Sequence, residues 1–154
     1  MSSADSNPDG DDNPQPSEAH TRRANVAAVE ACYQLVLWLI PVLDRLPRKQ
    51  KFQLGDRLQT TALDVLDTLV EAAYTRERTT LLQRANLGLE KLRFWVRLAK
   101  DLQLMDFKQY EHAARLIDAL GRQVGGWLRA ERSTVGRGRE PKQTASQVPH
   151  AQTP

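Results

Sequence analysis

The sequence contains little cysteine and few long apolar runs. Cys32 is the single cysteine among 154 residues, which excludes a disulfide framework and a cysteine-rich zinc module. The longest apolar run, residues 35–43, is interrupted by Pro41, whereas a membrane-spanning helix needs about 20 apolar residues. The N-terminus lacks the basic and then apolar stretch of a secretory signal. We therefore expect a cytoplasmic protein with no membrane partner.

Groups that commonly carry catalysis are also scarce. The three histidines are His20, His112 and His150, and none belongs to a Glu-x-x-His pair of the kind found in di-metal helical bundles. No glycine-rich loop is followed by the Lys and Ser or Thr of a phosphate-binding motif. We expect a non-enzymatic protein without a metal or cofactor. Cys32, which has no nearby histidine, is expected to be a small buried apolar residue.

The charge is distributed unevenly around a formal net value of +3. Residues 1–23 hold five acids and two bases, residues 24–130 hold twelve acids and sixteen bases, and residues 131–154 hold two acids and four bases. Both end segments have few large apolar side chains, and they cannot bury enough surface to offset the entropy of ordering them. We predict that 1–23 and 131–154 are disordered and that 24–130 forms one folded domain.

The pattern of apolar residues in 24–130 predicts four helices, at about 25–43, 49–74, 78–102 and 107–130. Their apolar residues recur with the period of an α-helix, and Asp106 followed by Gln109 resembles a capping box. Short links between long helices favour antiparallel neighbours. The predicted fold is an all-α, up-down-up-down four-helix bundle. In the second helix the predicted stripe consists of Leu54, Leu58, Ala62, Val65, Leu66, Leu69, Val70 and Ala73.

Two helices carry more apolar surface than one small bundle needs. Residues 35–40 are all apolar and cover the whole circumference of the first helix. In the third helix a second apolar set lies away from the core stripe, with the spacing i, i+7, i+11. Such surplus surface predicts a homo-oligomer. The predicted interface residues are Leu37, Trp38, Leu87, Phe94 and Leu98.

Basic residues form two groups along the predicted helices. One group lies where the first helix ends and the second begins, and it consists of Arg45, Arg48, Lys49 and Lys51. The other is a stripe on the third helix with Arg93, Arg97 and Lys100 on one face, flanked by Arg84 and Lys91. Neutralisation of nucleic-acid phosphates requires arrays of this kind. A solvated face of a plain helical scaffold accounts for the same pattern, so this alternative remains open.

Three stretches carry a resemblance to a known family. Residues 46–58 read LPRKQKFQLGDRL, residues 85–105 read ANLGLEKLRFWVRLAKDLQLM, and residues 121–129 read GRQVGGWLR. Over about 26–130 the chain resembles the accessory variability determinant (Avd) proteins of diversity-generating retroelements. These proteins belong to a wider group of four-helix bundles, which includes proteins encoded in intervening sequences of ribosomal RNA genes.

The resemblance implies a pentameric ring with a positive surface that binds a reverse transcriptase and RNA or DNA and supports mutagenic retrohoming. Gly121, Gly125, Gly126 and Trp127 match as structural positions, where the glycines are expected to allow close packing of helices beside the indole. Arg84 lies just outside the second stretch and is included on the stripe argument alone. The basic positions within the matched stretches are Arg48, Lys49, Lys51, Arg57, Lys91, Arg93, Arg97 and Lys100.

Two further alternatives remain at this point. The first alternative, within the same wider family, is a ribosomal-RNA-associated bundle that has no reverse transcriptase partner. The second, from a different class, is a phosphotransfer module in which His112 is the phospho-acceptor, since some such modules are four-helix bundles. The sequence 112–116 lacks the glycine expected close behind such a histidine, which weakens the second alternative.

Overall fold

The computed structural model describes residues 16–137, which are helical and contain no strand. Three tight connections separate the long helices, and the first connection contains the short helix α2 and a π-helical turn, Lys51–Gly55, which runs directly into α3. The all-helical prediction is confirmed. The helices are α1 (Pro16–Asp44), α2 (Arg48–Gln50), α3 (Asp56–Tyr74), α4 (Thr79–Asp101) and α5 (Phe107–Arg137).

The four long helices pack as an antiparallel four-helix bundle. α1 packs against α3 and α5, and α4 packs against the same two helices, so α1 and α4 lie on opposite corners of the bundle. Because each connection is short, helices that follow one another in the chain run in opposite directions. One end of the bundle therefore holds the α1–α3 and α4–α5 connections, and the other end holds the α3–α4 connection.

Two helices extend beyond the predicted limits of the domain. α1 begins at Pro16 and α5 continues to Arg137, so residues 16–23 and 131–137 are helical although we expected disorder there. The backbone hydrogen bonds of a helix that is already anchored in a core can continue into polar sequence, because only nucleation is costly. Proline is also well suited to the first position of a helix. The predictions for 1–15 and 138–154 lie outside the described residues.

The predicted core stripes supply most of the buried side chains. In α3, Leu58, Val65 and Leu69 are buried, whereas Val70 is 40% exposed and the neighbouring Thr68 is buried instead. Ala72 is also buried, whereas the predicted Ala73 is only half-buried, so the buried stripe of α3 is rotated slightly around the helix from the predicted one. In α5, Trp127 is 1% exposed, as expected for a core indole.

Two local predictions about α4 and α5 are confirmed. The backbone N–H of Gln109 donates to Oδ1 of Asp106 over 2.8 Å, and the N–H of Asp106 donates to Oε1 of Gln109 over 3.1 Å. This reciprocal pair is a capping box. Gly88 of α4 lies directly against α3, since a Cβ at Gly88 would lie 2.5 Å from Val65. A small residue is therefore required at this helix contact.

The expectation for the glycines of α5 is wrong at Gly125 and Gly126. A Cβ built at either position would meet only the guanidinium group of Arg129, at 3.6 and 3.8 Å. At Gly121 the nearest atom is Nη2 of Arg93, at 3.0 Å. All three contacts are to flexible side-chain ends, so helix packing beside Trp127 does not require these glycines.

Cys32 is fully buried in the core, as predicted. Burial disfavours the charged thiolate and raises the pKa of the Cys32 thiol from 9.0 to about 12. The thiol is therefore protonated in the folded protein at neutral pH, and it behaves as a small apolar side chain.

One helix in the described part of the chain, over Glu18–Asp44, is long and apolar enough to cross a membrane. The length of the longest apolar run did not reveal it, because Glu30 and Gln34 interrupt the apolar residues of this helix. Leu35, Leu39 and Leu43 of this helix belong to the core, and core helices of soluble proteins meet the same criterion. A cytoplasmic location stays a prediction.

Candidate nucleic-acid interface

The outer face of α1 carries an apolar stripe. Leu35, Val36 and Leu39 enter the core, whereas Leu37 is 54% exposed. Leu37 shares its face with two other exposed residues, Val26 and Tyr33, in the spacing i, i+7, i+11. We call Val26, Tyr33 and Leu37 the α1 apolar face. Of these three, only Leu37 is among the predicted interface residues, although Val26 and Tyr33 share its face by their spacing in the sequence.

Trp38 has a different environment from Leu37. Its side chain is half-buried, and its ring lies against the imidazole of His112 on α5, with ring centroids 4.8 Å apart and planes inclined by 54°. Trp38 therefore covers part of the α1–α5 seam and presents less free surface than Leu37 does. Its predicted place in an oligomer interface stays a prediction.

The outer face of α4 carries the second apolar stripe. Leu87, Phe94 and Leu98 are all exposed, and Phe94 is the most exposed of them at 69%. We call these three residues the α4 apolar face. Because α1 and α4 lie on opposite corners, the two apolar faces point away from one another. A single copy of the chain cannot bring them together.

The basic stripe of α4 is largely paired with carboxylates. Arg93 donates to Oδ1 of Asp118 on α5 over 3.1 Å and also forms an ion pair with Glu90. Arg84 lies 3.5 Å from Glu71 of α3. These carboxylates offset the positive charge of the stripe at its centre and at its N-terminal side.

The C-terminal part of the stripe shares one acid. Nε of Arg97 lies 3.8 Å from Asp101, and Nζ of Lys100 lies 3.4 Å from the same carboxylate. Lys100 also lies over the ring of Tyr110, 4.5 Å from its centroid. The stripe predicted from the sequence is therefore present, but with four nearby carboxylates it is a mixed surface rather than a purely positive one.

The α1–α3 connection carries exposed bases that have no ion-pair partner among the described residues. Arg48 and Lys49 are exposed, and neither forms an ion pair with any acid in residues 16–137. Lys51 pairs with Asp44 over 3.0 Å, which fixes the start of the π-helical turn against the end of α1. Arg45 is exposed beside them. Among the predicted basic residues, Arg48 and Lys49 are the best placed to meet phosphate groups.

The remaining two predicted bases lie along the α3–α4 side. The guanidinium carbon of Arg57 lies 5.6 Å from the centroid of the Trp95 ring, a cation–π contact that leaves its N–H groups available. Lys91 is exposed next to the α4 apolar face and has no ion-pair partner among the described residues. It also borders a groove that contains Asp64, Asp67 and Glu71, so its surroundings are mixed in charge.

Sequence reasoning missed a polar cluster at the opposite end of the bundle. Arg78 and Glu131 lie 3.4 Å apart in a largely buried ion pair, and the Arg78 guanidinium lies 5.8 Å from the Trp127 ring centroid. Asn25 is buried beside this end, and its Oδ1 has no hydrogen-bond partner. These residues come from α1, α5 and the α3–α4 connection, and no spacing in the sequence links them. The Arg78–Glu131 ion pair joins the α3–α4 connection to the extended end of α5.

No group of three or more His, Cys, Asp or Glu side chains within residues 16–137 is arranged to hold a metal ion. His112 is exposed on α5, and its described ring contact is with Trp38. The phosphotransfer alternative for His112 stays a prediction.

The chain was compared with models of known protein families. A family model described as bAvd-like matches residues 26–131, which include all of the predicted basic and interface residues. None of the curated proteins matches the chain. The matched range covers the bundle from the first turns of α1 to the buried Trp127 and the Glu131 ion pair.

Proposed function

The chain belongs to the bAvd-like family, and we propose that it is a non-enzymatic accessory protein of a diversity-generating retroelement. In this role it binds the reverse transcriptase and RNA or DNA and supports mutagenic retrohoming. The family match over the whole bundle is the observation that carries the proposal. The unpaired bases of the α1–α3 connection and the two unpartnered apolar faces support it.

The nucleic-acid contact is proposed to centre on Arg48 and Lys49. Among the described residues these two side chains have no competing carboxylate, so a phosphate does not have to displace a partner from residues 16–137. Arg84, Arg93, Arg97 and Lys100 contribute less per residue, because each already has an acid within 4 Å. Exposed ion pairs are worth less than about 1 kcal/mol, so these four bases can still exchange a carboxylate for a phosphate.

The assembly is proposed to be a ring in which the α1 apolar face of one copy meets the α4 apolar face of the next. An interface between two different patches is heterologous, and it closes into a ring when the rotation between copies permits. The family resemblance favours five copies. Each copy adds its own unpaired bases, so the ring presents a repeated array of positive charge to a polyanion.

The test of the function is copurification. The full-length chain is coexpressed with the reverse transcriptase from the same retroelement, and complexes are captured through a tag on the reverse transcriptase. We expect the chain in a fixed ratio to the enzyme, and we expect the free chain to have the mass of five copies in light scattering. A chain that does not bind the enzyme, or that ignores RNA at low salt, would refute the proposed function, and a chain that stays monomeric would refute the proposed ring.

The ribosomal-RNA-associated alternative gives a different result in the same experiment. Such a protein assembles and binds RNA but leaves the reverse transcriptase uncaptured. The gene neighbourhood provides an independent check, because a reverse transcriptase gene and a template and variable repeat pair accompany only a retroelement protein.

A further inference from the structure

All three phenylalanines of the chain are exposed to solvent. The exposed fractions are 62% for Phe52, 69% for Phe94 and 68% for Phe107. Phenylalanine is among the residues most often buried in folded proteins, so exposure of all three indicates a use for these rings. Phe94 belongs to the α4 apolar face. Phe52 and Phe107 belong to neither apolar face.

Phe52 and Phe107 lie at the same end of the bundle. Phe52 is in the π-helical turn of the α1–α3 connection, and Phe107 is the first residue of α5, directly after the α4–α5 connection. Leu102, also exposed, lies in the α4–α5 connection. We call this surface the phenylalanine end.

Both rings are held on ordered backbone. In the π-helical turn, Leu54 and Gly55 are buried, and this leaves Phe52 and Gln53 on the outside. Single π-helical turns are rare, and they occur frequently at functional sites. Phe107 follows Asp106, whose capping box fixes the first turn of α5. An exposed ring on such a support loses little conformational freedom when a ligand binds.

The phenylalanine end is also strongly positive. Residues 44–57 and 97–108 contain eight Lys and Arg but only four Asp. Asp44 and Asp101 are paired with bases, and Asp106 accepts the backbone N–H of Gln109. Arg45, Arg48, Lys49 and Lys108 are exposed at this end and have no ion-pair partner in residues 16–137. Arg57 is also exposed without an ion-pair partner there, but its guanidinium group lies over the Trp95 ring.

We propose that the phenylalanine end binds single-stranded nucleic acid, with Phe52 and Phe107 stacking on unpaired bases and Arg45, Arg48, Lys49 and Lys108 contacting the phosphates. Exposed aromatic rings among cations are the arrangement by which proteins hold single strands without reading their sequence. A duplex keeps its base faces stacked and offers only phosphates to this surface. The inference rests on the proposed nucleic-acid role and adds the form of the strand and the stacking residues.

The charge distinguishes this ligand from an apolar protein partner. A protein surface that covered the two rings would also have to desolvate the cationic groups of Arg45, Arg48, Lys49 and Lys108. Such desolvation is costly unless acidic side chains of the partner form ion pairs with these groups. A polynucleotide supplies a base and a phosphate in every residue, so it satisfies rings and cations together. Because the contacts use base faces and phosphates, RNA and DNA strands of one sequence depend equally on the rings.

The test uses the full-length chain and fluorescently labelled oligonucleotides: one single-stranded RNA, the DNA of the same sequence, and the RNA duplex. Phe52→Leu/Phe107→Leu removes both rings and keeps the charge and nearly all of the apolar character. Tyr74→Leu is the matched control, since Tyr74 is an exposed aromatic residue at the opposite end of the bundle. Circular dichroism and thermal melting establish that the three proteins are equally folded.

We expect the double variant to bind both single strands at least about tenfold more weakly than the unchanged chain, since stacking on one ring is worth about 1–3 kcal/mol. Duplex affinity, the dependence of affinity on salt, and the Tyr74→Leu protein are expected to be unchanged, because no charge is altered. Equal losses for single strands and duplex, or an unchanged single-strand affinity, would overturn the inference.

The outcomes also separate this inference from the proposed function. If the unchanged chain binds RNA and the double variant binds it equally well, the stacking site is refuted and the proposed function stands. If the double variant instead loses capture by the reverse transcriptase while oligonucleotide binding is unchanged, the surface belongs to the enzyme and the inference is also refuted. A chain that binds no nucleic acid at low salt refutes both.

Discussion

Gly88 of α4 meets Val65 of α3 with no space for a methyl group, because a Cβ at Gly88 would lie 2.5 Å from Cγ2 of Val65. Alanine favours helix over glycine by about 1 kcal/mol, but overpacking of a core typically costs about 1–3 kcal/mol. The overpacking cost less the gain in helix propensity is up to about 2 kcal/mol, so we expect Gly88→Ala to lower the free energy of unfolding by up to that amount, measured by urea denaturation.

A second substitution isolates the contact. In the Val65→Ala background the obstructing methyl groups are absent, so Gly88→Ala is expected to be neutral or stabilising there. The double-mutant cycle then gives a coupling between the two sites. Strict additivity of the two substitutions would show that the close approach of α3 and α4 does not limit residue size at position 88.

Trp127 is expected to be the largest single contributor to the core. Its side chain is buried near the extended ends of α1 and α5, next to Arg78. Trp127→Ala should lower the free energy of unfolding by about 3–5 kcal/mol, as for other large aromatic truncations. Arg122→Ala, an exposed position on the same helix, is the control and should change stability little. Similar losses for the two variants would contradict the core position of the indole.

The buried thiol of Cys32 is expected to make the stability of the protein depend on pH in the alkaline range. Burial raises the pKa of the Cys32 thiol from 9.0 to about 12, so between these values the folded state retains a proton that the unfolded state has released. Stability therefore falls as pH rises above 9. The stability difference between the unchanged chain and Cys32→Ala should change by about 1.4 kcal/mol between pH 8 and pH 10, to the disadvantage of the unchanged chain. A constant difference across this range would show that the thiol ionises normally in the folded protein.

The two apolar faces predict how copies assemble. Leu37→Glu disables the α1 apolar face, and Phe94→Glu disables the α4 apolar face. Each variant alone should be monomeric in light scattering, because every interface of a heterologous ring needs both faces. An equimolar mixture should form a dimer, since the intact α4 apolar face of the first variant can bind the intact α1 apolar face of the second.

The mixing experiment discriminates between interface types. If each face pairs with its own copy across a two-fold axis, each single variant still dimerises through its intact face. The control is Tyr74→Glu, which places the same charge on an exposed residue outside both faces and should leave the oligomer intact.

The sequence was sufficient to predict the features that depend on local spacing. The stripe Leu58, Ala62, Val65 and Leu69 is buried as its period indicated, and the Asp106–Gln109 capping box is formed. The start of α1 at Pro16 was missed because a helix can continue into polar sequence by backbone hydrogen bonds alone. The amino-acid composition of this segment gives no indication that the helix continues through it.

The features that depend on the register between helices could not be predicted. Arg93 and Asp118 are 25 residues apart, and their ion pair exists because α4 and α5 align them. The sequence therefore placed Arg93 in a positive stripe without revealing its partner. The exposure of Phe52 has a similar origin, because it depends on the π-helical turn that buries Leu54. The candidate site was thus located in outline, while the ranking of its bases required the structure.

The central claim is that unpaired bases on this bundle bind nucleic acid, and its most direct test is the salt dependence of RNA binding. Three full-length double variants are compared with the unchanged chain: Arg48→Glu/Lys49→Glu at the unpaired site, Arg93→Glu/Arg97→Glu on the paired stripe, and Arg115→Glu/Arg122→Glu on the exposed face of α5. The charge change is identical in all three, so net charge alone cannot explain a difference.

We expect the first variant to lose the most affinity and to reduce the slope of log K against log salt by about two or more. The second variant should lose less, because its bases already have carboxylate partners, and the third should bind nearly as well as the unchanged chain. Equal affinities and equal slopes for all four proteins would contradict the account.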